Sequence, residues 1–167
     1  MELDKFDLAI LAVLQEDARA SLQDISARVG LSTTPCWTRI RKMETEGVIQ
    51  GYTVRIDPAA IGFRETVVVQ LTLENHSDEI LEAFGKALAE IPEVLDAYLI
   101  SGDYDYLIRI AVRDTRDYER LLRERLYQIP GIRQSKSSLV LRQLKESPIP
   151  LYSSARAPTV RMRRGRK

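Results

Sequence analysis

Two groups of side chains have the types and spacing to do chemistry. The first lies between Pro35 and Thr45. At 100° per residue, turning Cys36, Ile40 and Met43 inward leaves Thr34, Thr38, Arg41, Lys42 and Thr45 on the outward side, with Arg39 at the edge. Arginine forks onto guanine in the major groove, lysine meets guanine or phosphate, and threonine offers a hydroxyl and a methyl that suits the thymine methyl. The second group is Ser101-Gly102-Asp103-Tyr104-Asp105-Tyr106. Two carboxylates one residue apart suit three uses: a plain hairpin turn, a divalent-cation site of the Asp-x-Asp kind, or a cradle for a free amino acid. In the last use a carboxylate meets the ammonium and backbone N–H groups meet the carboxylate.

Catalysis finds little support. His76 has no nucleophile motif beside it, and Asn75-His76-Ser77-Asp78-Glu79 reads as a helix start in which Ser77 caps. Cys36 reads as a small buried hydrophobe, and Trp37 as packing against the first helix or the other domain rather than touching DNA. No enzyme, metal site or cofactor is expected.

The elements that must hold these groups are legible from periodicity. From Leu3 to Gly47 the spacing predicts three helices. Asp4 caps the first, and Phe6, Ile10, Leu11, Val13 and Leu14 recur at its helical intervals. Ser21 and Asp24 have capping-box spacing for the second, which Gly30 ends in the left-handed conformation. Ser32 or Thr34 caps the third, with Pro35 in its first turn. Two short helices across a tight Gly turn make a helix-turn-helix, whose second helix enters the major groove. The set expected on DNA is Ser32, Thr33, Thr34, Thr38, Arg39, Arg41 and Lys42.

After Gly47 the period changes to two. Val48 to Ile56 is expected to form a short strand pair or wing, and Asp57-Pro58 with Gly62 marks a boundary. Then follow a strand through Val67, Val69, Leu71 and Leu73, a helix (77–91), strands either side of Gly102 (94–101 and 105–112), a helix (115–129) and a last strand (132–144). Ile91-Pro92 and Ile129-Pro130, 38 residues apart, each close a helix and open a strand. Two interleaved βαβ units give a ferredoxin-like βαββαβ sheet with both helices on one face. The fold class expected is therefore α+β, a winged helix-turn-helix followed by that domain. The sheet face away from the helices is expected to pack against the same face of a second subunit, with Val69 or Leu71 at that contact if it faces the partner rather than its own helices. The boundaries expected are 1–60, 61–147 and a disordered tail over 148–167.

Composition agrees with a soluble protein: hydrophobic residues make up 44% and charged residues 29%. No apolar run approaches the ~20 residues a spanning helix needs, and one cysteine excludes an internal disulfide, so a reducing cytoplasm is expected. The net charge of +1 hides an asymmetry. Residues 147 to 167 carry six basic side chains and no acid, leaving 19 basic against 24 acidic groups in the rest. Nucleic-acid binding must then come from a local patch, aided by the tail.

Three stretches together resemble one family. They are Leu3-Asp4-x-x-Asp7-x-x-Ile10-Leu11, then Gly30-Leu31-Ser32-x-x-Pro35-Cys36-x-x-Arg39-Ile40-Arg41-Lys42-Met43-Glu44-x-x-Gly47-Val48-Ile49, and Ser101 to Leu107. The chain, over about residues 2 to 147, resembles the leucine-responsive regulatory protein/AsnC family of transcription regulators. The resemblance implies a DNA-binding, amino-acid-responsive regulator acting on double-stranded DNA, a homodimer that assembles into tetramers or octamers, and an effector held between sensing domains. It implies an effector site at Ser101, Gly102, Asp103, Tyr104 and Asp105, joined by Ser135 and Ser137 on the last strand. Serine lacks threonine's methyl, so the identity of the effector does not carry over. The runner-up is an architectural, nucleoid-type DNA organiser whose second domain serves only assembly. Nothing in the resemblance covers the basic tail.

Overall fold

The computed structural model describes residues 2–151, so the basic residues from Arg156 onward lie outside the described part. The chain divides into two compact units, one running to Arg55 and resuming at Glu146, the other spanning Ile56 to Lys145.

Three helices make the first unit: α1 (Lys5–Glu16), α2 (Leu22–Val29) and α3 (Thr33–Thr45). The Asp4 carboxylate accepts hydrogen bonds from the Phe6 and Asp7 N–H groups, and the Asp7 carboxylate accepts one from the Asp4 N–H. Ser21 and Asp24 form the same reciprocal box on α2, which ends at Gly30 with φ 74°. These caps satisfy N–H groups that a short helix leaves without partners. Ser32 occupies the cap position of α3, although its hydroxyl makes no cap bond. Ile10, Val13, Ile25, Cys36, Ile40 and Met43 close the core between the helices.

One ion pair inside this unit sets the angle of α3. Arg39 Nη1 lies 2.7 Å from Asp7 Oδ1 and 2.8 Å from Asp4 Oδ2, and its guanidinium sits 5.6 Å from the Phe6 ring centre. Asp7 is only 3% exposed. A carboxylate so buried is tolerable because it is paired and capped at once.

The strand pair expected over Val48 to Ile56 is not formed. Val48 and Ile49 both donate to the Met43 carbonyl, and beyond them the chain runs extended, with no backbone partner among the described residues. A wing requires two strands in register; Glu146 returns to pair with Arg55 by its side chain at 2.7 Å, but no second strand is hydrogen-bonded here among the described residues. Tyr52, Val54 and Ile56 are consequently exposed.

The second unit is an antiparallel four-stranded sheet in the order β2-β3-β1-β4, from β1 (Glu65–Leu73), β2 (Val94–Leu99), β3 (Tyr106–Val112) and β4 (Ile132–Leu139), with α4 (Asp78–Ala89) and α5 (Thr115–Glu124). The last helix is shorter than its periodicity predicts, giving way to a 3-10 turn at Leu126–Gln128, and β4 stops at Leu139 rather than 144. Val67, Val69, Leu71, Leu73, Ile108 and Ile110 pack on Phe84, Leu88 and Leu121.

That packing settles which way Val69 and Leu71 point. They face their own helices, so the face left open is the more polar one. Because directly paired residues share a face, it carries Val68, Gln70, Leu107, Arg109, Tyr98 and Lys136. Arg109 is there ion-paired to Asp96. Among the described residues no helix is long and apolar enough to cross a membrane.

Replacing Asp7 by Ala leaves the Arg39 guanidinium facing a vacant, half-buried slot. The expected cost is about 3 kcal/mol of unfolding free energy, read by urea denaturation. An Asp7→Ala/Arg39→Met double variant should recover part of the loss, and no recovery would show that the cap, not the ion pair, carries the stability.

Candidate functional site

The helix α3 presents its outward face as the spacing predicts. Ser32, Thr33, Thr34, Thr38, Arg41 and Lys42 are all exposed. Two of its threonines spend their hydroxyl hydrogen on their own helix, Thr38 on the Thr34 carbonyl at 3.0 Å and Thr45 on the Arg41 carbonyl at 2.9 Å. Thr38 therefore turns outward a methyl and acceptor lone pairs rather than a donor. Arg39 is set apart from this group. The helical wheel puts it at the edge, and the structure turns its guanidinium to Asp4 and Asp7 on the α1 side.

Trp37 is 51% exposed, and the Arg41 guanidinium lies over its ring at 5.7 Å from the centre. Arg41 also reaches Glu44 at 3.3 Å, and Glu44 in turn accepts from the Tyr52 hydroxyl at 3.0 Å. The spacing of Trp37 and Arg41, four residues apart on one helix, was the available signal for this contact.

The second candidate region is the turn between β2 and β3. Gly102 has φ 126°, a conformation that only glycine adopts without strain. The two carboxylates of the turn have different fates. Asp105 Oδ2 accepts from the Leu73 N–H at 2.7 Å, and its Oδ1 lies 2.9 Å from His76 Nε2. Burial works to raise the Asp105 carboxyl, and the Leu73 N–H, the His76 ring and the Arg133 charge together outweigh it, holding the group below its ordinary value. Asp103 stays exposed, with no side-chain hydrogen bond or ion pair among the described residues. Ser101 is exposed beside it, and Tyr104 is half-buried. Among the described residues no group of three or more His, Cys, Asp or Glu side chains is placed to hold a metal ion.

Ser135 and Ser137 sit on β4, paired with Leu71 and Val69 of β1. Their hydroxyls bond to Tyr127 at 2.8 Å and to Tyr118, contacts with no signature in the sequence. Leu71 pairs on its other side with Tyr106, so two strand spacings, roughly 10 Å, separate Ser135 from the start of β3. The turn and the two serines thus lie on different strands, and one chain does not bring them into a common pocket. The concavity beside Ser135 is lined by Tyr127, Ile129, Pro130, Gly131, Arg133 and Gln134, with no residue of the turn.

Comparison with known proteins sets these two regions in context. A profile described as the AsnC-type helix-turn-helix domain matches residues 3–44, and one described as the Lrp/AsnC ligand binding domain matches residues 66–150. The leucine-responsive regulatory protein of Escherichia coli K12 is 38% identical over 146 residues, which cover 87% of this chain and 89% of that one. Among solved structures, an AsnC family transcriptional regulator from Agrobacterium tumefaciens is 39% identical with a TM-score of 0.85, covering 89% of this chain and 97% of its own. A transcriptional regulator from Neisseria meningitidis, solved as its L-Met complex, is 28% identical with a TM-score of 0.81, covering 87% and 94%.

The Asp105 bracket has a pH signature. Its folded-state carboxyl titrates below the unfolded one, so its stabilisation is complete above the ordinary carboxylate range and disappears as pH falls through the depressed value. The stability difference between wild type and Asp105→Asn should therefore be flat above about pH 5 and shrink in more acidic solution, as followed by urea melts across pH. A difference constant down to the acid limit would show that the charge contributes nothing.

Proposed function

The chain belongs to the Lrp/AsnC family of transcription regulators, with a DNA-binding helix-turn-helix followed by a ligand-binding domain, and from that premise we propose that it reads double-stranded DNA through α3 and answers to an amino acid. The observation that carries the DNA half is the outward face of α3: Thr34, Thr38, Arg41 and Lys42 exposed together on a helix whose other face fills the core. In this reading Ser32, Thr33 and Thr34 approach phosphates and bases from the start of the helix, Thr38 follows about one turn on, and Arg41 and Lys42 about two turns on. Arg39 acts through its ion pairs, holding the helix at its angle.

The effector half rests on the division of labour in the turn. Asp105, committed to Leu73 and His76, shapes the loop, so the free carboxylate that meets the ammonium is Asp103, and the N–H groups around Gly102 receive the carboxylate. Ser135 and Ser137 join the site from a second chain, since one chain keeps them two strands away. The Neisseria relative's L-Met complex supports an amino acid as the ligand class.

Assembly follows from the same geometry. The open sheet face pairs with its copy in a homodimer, and the dimers associate further to a tetramer or octamer. The exposed Val54, Ile56 and Leu141, on extended chain without backbone partners among the described residues, support pairing between subunits. The protein acts in the cytoplasm and performs no catalysis.

Calorimetry against the twenty amino acids tests the effector. One or a small group should bind, and Asp103→Asn should weaken that binding about tenfold or more while the protein remains folded and assembled. Absence of binding at millimolar concentration would leave the turn a plain hairpin. On DNA, Arg41→Ala should cost about 1 to 3 kcal/mol on a selected duplex and relax preference at one base pair. Equal affinity of the wild type for selected and random duplexes, at fixed salt, would instead make it a sequence-blind organiser of DNA.

A further inference from the structure

Among the features not yet used, the exposed Trp37 carries the most. The inward side of α3 is already filled by Cys36, Ile40 and Met43, so the ring is not displaced from the core by any local defect; the helix presents it. It stands beside a shallow groove formed with Leu22, Thr33 and Thr34, on the side from which Thr34 and Arg41 also project. The half of the indole left in water is apolar surface that gains free energy when a partner's apolar group covers it. Its neighbour is equally informative. Arg41 lies over the ring one turn further along, and its Nη1 is steadied by Glu44, which is itself held by the Tyr52 hydroxyl.

We propose that Trp37 and Arg41 act as one reading unit, in which the ring both orients the Arg41 fork toward a guanine and covers the methyl of a thymine at a neighbouring base pair. The inference rests on the reading of α3 as the helix that enters the major groove. Its chemistry has two parts. Arginine's planar guanidinium loses less freedom on binding when it is already held over an aromatic face, so the ring lowers the cost of placing the fork against O6 and N7 of guanine. The indole that remains exposed is apolar, and the only apolar group that the floor of the major groove offers is the C5-methyl of thymine. Thr38, which also turns out a methyl, widens the same apolar surface. Sequence preference at the thymine then comes from burying one methyl group, without any hydrogen bond.

Deleting that methyl is a chemical test. The full-length protein is first used to select its preferred duplex from a random pool. Each thymine of the recovered site is then replaced by deoxyuridine, which removes the methyl and leaves every hydrogen-bonding group in place. Wild type should lose about threefold to tenfold in affinity at one thymine next to an essential guanine. Trp37→Ser should bind the unmodified site more weakly and show no further loss at that position, while 7-deazaguanine at the guanine should penalise it less than it penalises wild type. Trp37→Phe, which keeps a ring for Arg41, should retain part of both effects and guards against a folding defect in the serine variant. Unchanged deoxyuridine sensitivity in Trp37→Ser, or no sensitive thymine in wild type, would overturn the proposal. So would a change of oligomer size in Trp37→Ser by sedimentation, since the ring would then be covered by protein. A wild type that selects no sequence at all would instead defeat the underlying reading of α3.

Discussion

The outward surface of α3 depends on a buried carboxylate. Asp7 is nearly sealed from water, and its negative charge is offset in two directions, by the Asp4 N–H at the start of α1 and by the Arg39 guanidinium from α3. Apolar packing alone would allow α3 to slide or roll against α1, because Ile10, Cys36, Ile40 and Met43 make contacts without direction. An ion pair with two carboxylates and an aromatic face allows far less freedom. The position of every outward residue on α3 is inherited from it.

The three helices, the four strands and their order followed from periodicity and capping, which are local properties. Ser21 with Asp24, Gly30 and the Cys36, Ile40, Met43 stripe each sat in the expected role. What local pattern could not supply was direction across the sheet. Alternation in β1 separates Val69 and Leu71 from Val68 and Gln70, yet it does not state which face the helices cover. The wing failed for a related reason: alternating Tyr52, Val54 and Ile56 is a strand-like pattern that still needs a second strand to pair with.

The candidate sites show the same limit at finer scale. Exposure of Thr34, Thr38, Arg41 and Lys42 was legible from helical spacing, whereas the partners of Arg39 depend on how α1 crosses α3. The Asp103 and Asp105 pair was legible as a chemical unit but not as two different groups. Only the packing of β1 beside the turn brings the Leu73 N–H and His76 to Asp105 and leaves its neighbour open. The tyrosine partners of Ser135 and Ser137 come from α5 and from the 3-10 turn before β4, and no short motif announces the pairing.

The position of β1 in the middle of its sheet also bears on how the chain is made. The hydrophobic core that holds α1, α2 and α3 together is complete soon after residue 49, so these helices can fold while the ribosome is still at work. β1 emerges next, and its two neighbours come much later: Val67 pairs with Ile110 and with Leu139, the latter roughly seventy residues downstream. At translation rates of about 5 to 20 residues per second, Val67 to Leu71 waits roughly 2 to 9 seconds with both hydrogen-bonding edges open, and roughly 4 to 15 seconds before the second edge is covered. An apolar segment rich in β-branched residues is then at its most prone to pair with the wrong chain. The nascent protein is a natural client for a chaperone that shields one short stretch, and a burst of synthesis is the condition under which it should aggregate.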